Sequence, residues 1–286
     1  MRWLTLEGMS KHWERSKISA SLKPEANTAS ITTSNTSRFA VNFGPGQSPF
    51  RIGDVPTFVI DGKSVKTHSV STEGSFLAHF VKEGAGWKLA AEGPAGTVKR
   101  PGLQGPIDDA FMDSFIMVTP TGTPINAKAG EWTAKEMDHA ITHWRRQFRG
   151  EAVVKADTDI SDEDIAKSNL ILWGDAQSNK ILARIQDRLP VMWNASNIKV
   201  GDKTFSSDKH VPVFIYPNPL NPNRYVVVNS GFTYREYDYL NNARQVARIP
   251  DWAVIDMTTP VTSRWPGNVV DAAFFGENWE YLKERK

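Results

Sequence analysis

The chain contains no cysteine among its 286 residues. That excludes disulfides, a thiolate nucleophile and any cysteine-ligated metal, and it leaves the compartment open. No apolar run approaches the roughly 18 residues of a membrane-spanning helix, so no membrane association is expected. The first ten residues, Met1 to Ser10, lack the basic-then-apolar layout of a secretory signal. The chain as it stands reads as soluble, with an upstream or removed signal left open. Lys and Arg (34) and Asp and Glu (32) are interspersed to a net charge of +2. A nucleic-acid footprint would be clustered on one face or segment, so no nucleic-acid partner is expected. Gly-x-Ser-x-Gly, Gly-x-Gly-x-x-Gly, a P-loop and the regular Asp-x-Asp-x-Asp-Gly calcium loop are all missing. Neither a nucleophile elbow nor a phosphate cradle is legible, and no cofactor is expected.

What is present suits a globular protein. Apolar residues make up 40% of the chain and charged residues 23%, enough to build a sizeable core in one large domain or two smaller ones. Residues 1–98 read as a β-rich, sandwich-like module. Apolar positions at Phe39, Val41 and Phe43 alternate at period two. Asp61-Gly62 and Glu83-Gly-Ala-Gly86 are hairpin turns between apolar runs. Residues 99–112 form a Gly- and Pro-rich bridging segment.

From residue 113 to 286 strands alternate with helical patterns. Strands are expected at Ser114–Thr119, Ala152–Ala156, Asn169–Trp173, Val211–Tyr216, Arg224–Val228 and Trp252–Ile255. Helices are expected at Glu131–Phe148, from Ser161, at Lys180–Leu189 and at Thr233–Ile249. The alternation predicts an α/β domain with a mainly parallel, three-layer, flavodoxin- or Rossmann-like sheet carrying inserted hairpins.

In such a sheet the strand ends form the default binding crevice. Thr121, Gly122, Asn179, Asn229 and Ser230 are the binding candidates there. Asn169-Leu-Ile-Leu-Trp173 runs into Gly174-Asp-Ala-Gln-Ser178, which nominates Ser178 as a nucleophile with Asp175 as orienter. The plainer reading is that Ser178 or Asn179 caps the following helix. His139 and His143, four apart on one helical face, are candidate bases, and their spacing also suits zinc. The glutamate of His-Glu-x-x-His is missing between them and no further ligand is legible, so no metal is expected. Asp157, Asp159, Asp162, Glu163 and Asp164 read as a solvated helix start. Trp252, Trp265 and Trp279 are candidates for an exposed polymer-binding surface, although large aromatics are usually buried.

Several stretches carry a family resemblance. Trp3-Leu-Thr-Leu6 and Lys11-His-Trp13 look like the exit from a hydrolase domain, and Lys99 to Phe111 like a bridging segment. His143 to Gly150, Asn169 to Asp175 and Asn229-Ser-Gly231 are similar to an α/β part. Together they resemble the C-terminal accessory region of bacterial secreted serine hydrolases related to prolyl oligopeptidase. In that family the nucleophile lies in a separate upstream domain. The resemblance therefore implies a non-catalytic accessory or binding region, partnered with a hydrolase catalytic domain and secreted or periplasmic. The alternative is a stand-alone, esterase-like hydrolase acting on an ester, including a polymeric one, at the strand-end crevice.

Overall fold

Short apolar runs separated by Gly- and Asn-rich turns build strands throughout the chain. The computed structural model describes residues 2–12, 14–94 and 96–283; Trp13, which ends one of the resembling stretches, lies outside them. The chain divides into two units, residues 1–101 and 102–286.

The first unit contains β1 (Leu4–Met9), β2 (Lys17–Lys23), β3 (Thr28–Ser34), β4 (Thr36–Phe43), β5 (Thr57–Ile60), β6 (Lys63–Val65), β7 (Phe76–Glu83) and β8 (Gly86–Ala90). They form two four-stranded sheets, in the orders β1-β4-β7-β8 and β2-β3-β5-β6. Phe39, Val41 and Phe43 all turn into one core. Phe58 of β5 meets Phe80 of β7 at 5.1 Å between ring centroids, which closes one sheet on the other. Asp61-Gly62 makes the β5–β6 turn, with both residues at positive φ.

The second unit contains β9 (Phe115–Thr119), α1 (Ala127–Phe148), β10 (Val154–Ala156), α2 (Asp162–Lys167), β11 (Asn169–Leu172), α3 (Lys180–Ile185), β12 (Val191–Trp193), β13 (Asn197–Val200), β14 (Lys203–Ser206), β15 (His210–Asn218), β16 (Asn221–Val228), β17 (Trp252–Asp256) and β18 (Asn268–Ala273). A seven-stranded sheet runs β10-β9-β11-β16-β15-β17-β18, beside a three-stranded sheet β12-β13-β14.

This corrects the expected fold class. The chain is β-rich, with 37% of it in strands arranged in four sheets and 19% in helices, rather than a mainly parallel, three-layer α/β sheet. Pairings in the large sheet are parallel from β10 to β16 and antiparallel from β16 through β15 and β17 to β18. Two features account for the difference. The Pro/Asn-rich stretch between β15 and β16 makes a tight turn at Asn218–Asn221, and a tight turn joins antiparallel neighbours. The segment Thr233–Ile249, expected to be a helix, forms only two 3₁₀ turns, Glu236–Leu240 and Asn242–Arg244. Helices α2 and α3 are six residues each, too short to cover a sheet face. No helix among the described residues is long and apolar enough to cross a membrane.

Helix α1 is the long element that positions the site. Asn126 caps its start, its side chain accepting from the Ala129 amide at 2.7 Å. Arg145 and Arg146 sit in the last turn, where cations complement the helix dipole. Its buried residues are Ala129, Trp132, Thr133, Glu136, Ala140 and His143. Of the apolar positions spaced for a helical face, Trp132 and Ala140 are buried, Met137, Ile141 and Trp144 pack partly buried against the core, and Phe148 is exposed. The helix therefore buries a face with a carboxylate and an imidazole on it.

Candidate functional site

Strand β16 ends at Val228, and the chain then crosses α1. Asn229 adopts a left-handed conformation (φ 57°) that turns it off the sheet. Gly231 passes so close to the helix that a Cβ there would lie 2.4 Å from the Ala140 Cβ. The following residues, Phe232 to Tyr239, lay a row of polar and aromatic side chains against the buried face of α1.

Three contacts fix that row. The Arg235 guanidinium donates to both Glu136 carboxylate oxygens, at 2.7 and 3.3 Å, with the two side chains 7% and 8% exposed. His139 Nε2 donates to Glu236 Oε1 at 2.7 Å. His143 Nδ1 shares a 2.5 Å hydrogen bond with Tyr239 Oη, and Tyr234 packs edge-on against the same imidazole at 5.2 Å. One ring nitrogen of each histidine and a carboxylate oxygen of Glu236 lie within 4.8 Å of one another.

Electrostatics follow from burial. Desolvation holds the His143 imidazole down at about 4, assisted by the charges of His139, Arg235 and Arg146 and opposed by Glu236. The ring is therefore neutral near pH 7. Burial alone would raise the Glu236 acid. Hydrogen bonds from its own backbone and His139, with the His139 and Arg235 charges, outweigh that and keep it below the usual glutamate value. Beneath the row, Asp108 accepts from the Thr233 hydroxyl and, at 3.1 Å, from the Thr233 amide. Desolvation pushes Asp108 up to about 6 despite those bonds.

The residues nominated from the sequence fall into two adjoining groups that meet at Asn229. His139, Asn229 and Ser230 line one small pocket together with Glu136, Thr233 and Arg235. Its free volume of about 20 Å³ holds about one water molecule. Ser178, Asp175, Asn179 and Gly122 form a closed turn. Ser178 is 2% exposed, its hydroxyl accepting from the Asp175 amide at 3.0 Å and donating to the Asp175 carbonyl at 3.2 Å. Asp175 itself accepts from the amides of Gln177, Ser178 and Ile125. Asn179 caps α3 through the Ile181 and Leu182 amides, and the Asn229 side chain clamps Gly174 through both its N–H and its carbonyl. Gly122 donates to the Ser178 carbonyl at 2.8 Å, and Thr121 is exposed beside it.

Ser178 and Asp175 are thus brought together, but the two histidines hydrogen-bond to Glu236 and Tyr239 instead. Asp164 closes the capping box with Ser161, and Asp162 and Glu163 fill the first turn of α2; Asp157 instead is buried and accepts from the Lys180 amide at 2.6 Å. Of the tryptophans nominated for a polymer surface, Trp252 and Trp279 are core residues and Trp265 remains 39% exposed. Trp265 lines an open surface pocket of about 130 Å³ with Tyr237, Asp238, Arg248 and Arg264. Glu236, Tyr239 and Arg235 match no sequence motif. Their one signal was the density of ionisable and aromatic residues in Thr233-Tyr-Arg-Glu-Tyr-Asp-Tyr239.

No family model, curated protein or solved structure significantly matches the chain.

Proposed function

We propose that the chain is a non-catalytic binding region that accompanies a serine-hydrolase catalytic domain. The observation supporting this reading is the sealed Ser178 turn. A serine nucleophile needs a base within hydrogen-bond reach, whereas both oxygen contacts of Ser178 are made within its own turn. The neighbouring pocket, with room for about one water, is also far smaller than the roughly 300 Å³ or more of a small-molecule site. The resemblance to the accessory region of prolyl-oligopeptidase-like hydrolases supplies the class of partner.

The surface around Tyr237, Arg264 and Trp265 is the face proposed for binding. Arg264 stacks over the Tyr237 ring at 3.5 Å, and aromatics with arginine are the residue types that dominate protein interfaces.

The test is co-expression with a prolyl-oligopeptidase-like catalytic domain from the same genome, followed by size-exclusion chromatography. The expected result is a complex weakened by Arg264→Ala combined with Trp265→Ala. Labelling of the isolated chain by a fluorophosphonate, abolished by Ser178→Ala, would instead establish the stand-alone esterase alternative.

A further inference from the structure

The pair His139 and His143 is held one turn apart on α1, with ring centroids at 5.6 Å and an interplanar angle of 32°. The 3₁₀ turn Glu236–Leu240 brings Glu236 to the same place. Two imidazoles and one carboxylate, with donor atoms within 4.8 Å of one another, are the three-ligand set of open zinc sites. Tetrahedral coordination at about 2.0–2.1 Å places ligand atoms roughly 3.3 Å apart. The cluster must therefore close by no more than about 1.5 Å, which rotation of the partly exposed Glu236 and His139 side chains can supply (37% and 23% exposed).

The hydrogen bond between His139 and Glu236 accounts for two of the three groups and leaves the third unexplained. His143 is 2% exposed, yet its Nε2 is buried with no hydrogen-bond partner. Buried polar atoms are almost always satisfied, so an unbonded imidazole nitrogen in this cluster is an independent mark of a missing ligand. Its other nitrogen is held by Tyr239, the kind of outer partner that fixes the orientation of a metal-bound histidine.

Two cations face the cluster, and both are engaged. Arg235 is bidentate on Glu136, and Arg146 lies over the Tyr239 ring at 5.0 Å. The three side chains leave the fourth position of an open zinc site to solvent water.

We propose that His139, His143 and Glu236 bind one divalent metal ion of the zinc class. Binding replaces the His139–Glu236 hydrogen bond. The Nε2 proton shifts to Nδ1 in a neutral ring or leaves to solvent from an imidazolium, and the freed lone pair and the carboxylate turn to the ion.

The experiment uses full-length protein without a histidine tag, stripped with chelator. It is titrated with Zn²⁺ by calorimetry and with Co²⁺ by visible absorption. One saturable equivalent is expected, with the intense d–d bands of four-coordinate cobalt and a raised Tm. Glu236→Gln and His139→Gln should each lower affinity by at least about tenfold, and Tyr239→Phe by roughly tenfold through the outer partner. His68→Gln, in the other unit, should change nothing. The replaced side chains are partly exposed, so these variants should fold, which circular dichroism checks. Absence of saturable binding, or binding that persists unchanged in Glu236→Gln and His139→Gln, overturns the proposal.

Discussion

His139 Nε2 lies 2.7 Å from Glu236 Oε1, tying the middle of α1 to a segment 97 residues downstream. One turn away on the same helix face, Glu136 receives Arg235 from the same segment. Two side-chain pairs thus join the same two elements, and they differ chiefly in burial.

That difference predicts unequal costs. Glu236 is partly exposed, so Glu236→Gln in metal-free protein should lower stability by about 0–1 kcal/mol. Glu136→Gln strands the Arg235 guanidinium in a site where it is only 7% exposed and where its Nε already lacks a partner. The expected loss is about 3–5 kcal/mol. Urea denaturation of both variants checks this; equal losses would show that burial is not the deciding variable.

Asp108 and His143 give opposing pH dependences over nearly the same window. The folded Asp108 acid sits at about 6, above its ordinary 3.8. The native state therefore holds a proton the unfolded chain has lost, and stability falls as pH rises from about 4 to 6. The folded His143 ring sits at about 4, below its ordinary 6.5. The unfolded chain holds the extra proton there, and stability falls as pH drops from about 6.5 to 4. Each shift corresponds to about 3 kcal/mol at most, so between them the dependence nearly cancels. Asp108→Asn should expose a stability that climbs with pH, and His143→Gln one that declines. Denaturation series from pH 4 to 7 in chelator would read both slopes, and two variants with the same sign of change would refute the assignment.

The parts of this molecule legible in its sequence are those set by neighbouring residues. Asp61-Gly62 demands a hairpin because both positions take positive φ. Asn169–Leu172 announces a strand because four consecutive residues are buried. The His139/His143 spacing was visible for the same reason, since one helix carries both. Glu236 was not visible, because its segment reads as helical, with Tyr234, Tyr237 and Leu240 recurring every three residues. Side-chain bonds override that propensity. Arg248 holds Asp238 and the Thr233 hydroxyl accepts from the Arg248 amide, pinning the segment as turns. The expected parallel sheet failed on the same ground. Strand alternation was visible, but the tight Asn218–Asn221 turn and the missing helix decide direction, and both are tertiary outcomes.

Ser178 is a turn residue by its contacts, so its removal should act on stability. Ser178→Ala deletes two hydrogen bonds inside the Asp175 turn and should cost about 1–3 kcal/mol by leaving the buried Asp175 amide unsatisfied. Asn179→Ala removes the cap of α3 and should cost about 0.5–2 kcal/mol. Thermal melts of the two variants, with fluorophosphonate labelling as the second readout, would test this. Labelling that disappears with Ser178 while the Tm stays unchanged would contradict it.

Close approach at Gly231 sets how the site is assembled, and a double-mutant cycle isolates it. A Cβ at residue 231 would lie 2.4 Å from the Ala140 Cβ, so Gly231→Ala must push the β16 exit away from α1. Overpacking of this kind costs about 1–3 kcal/mol. Ala140→Gly removes the opposing methyl and costs about 1 kcal/mol through helix propensity. If the clash is the cause, the double variant recovers at least about 1 kcal/mol relative to the sum of the two, since residues in contact couple on that scale. Should the effects simply add, Gly231 is needed for its backbone and not for its missing side chain. The same displacement would carry Arg235 and Glu236 off the helix, so Gly231→Ala should also weaken the Zn²⁺ affinity, and the double variant should restore it.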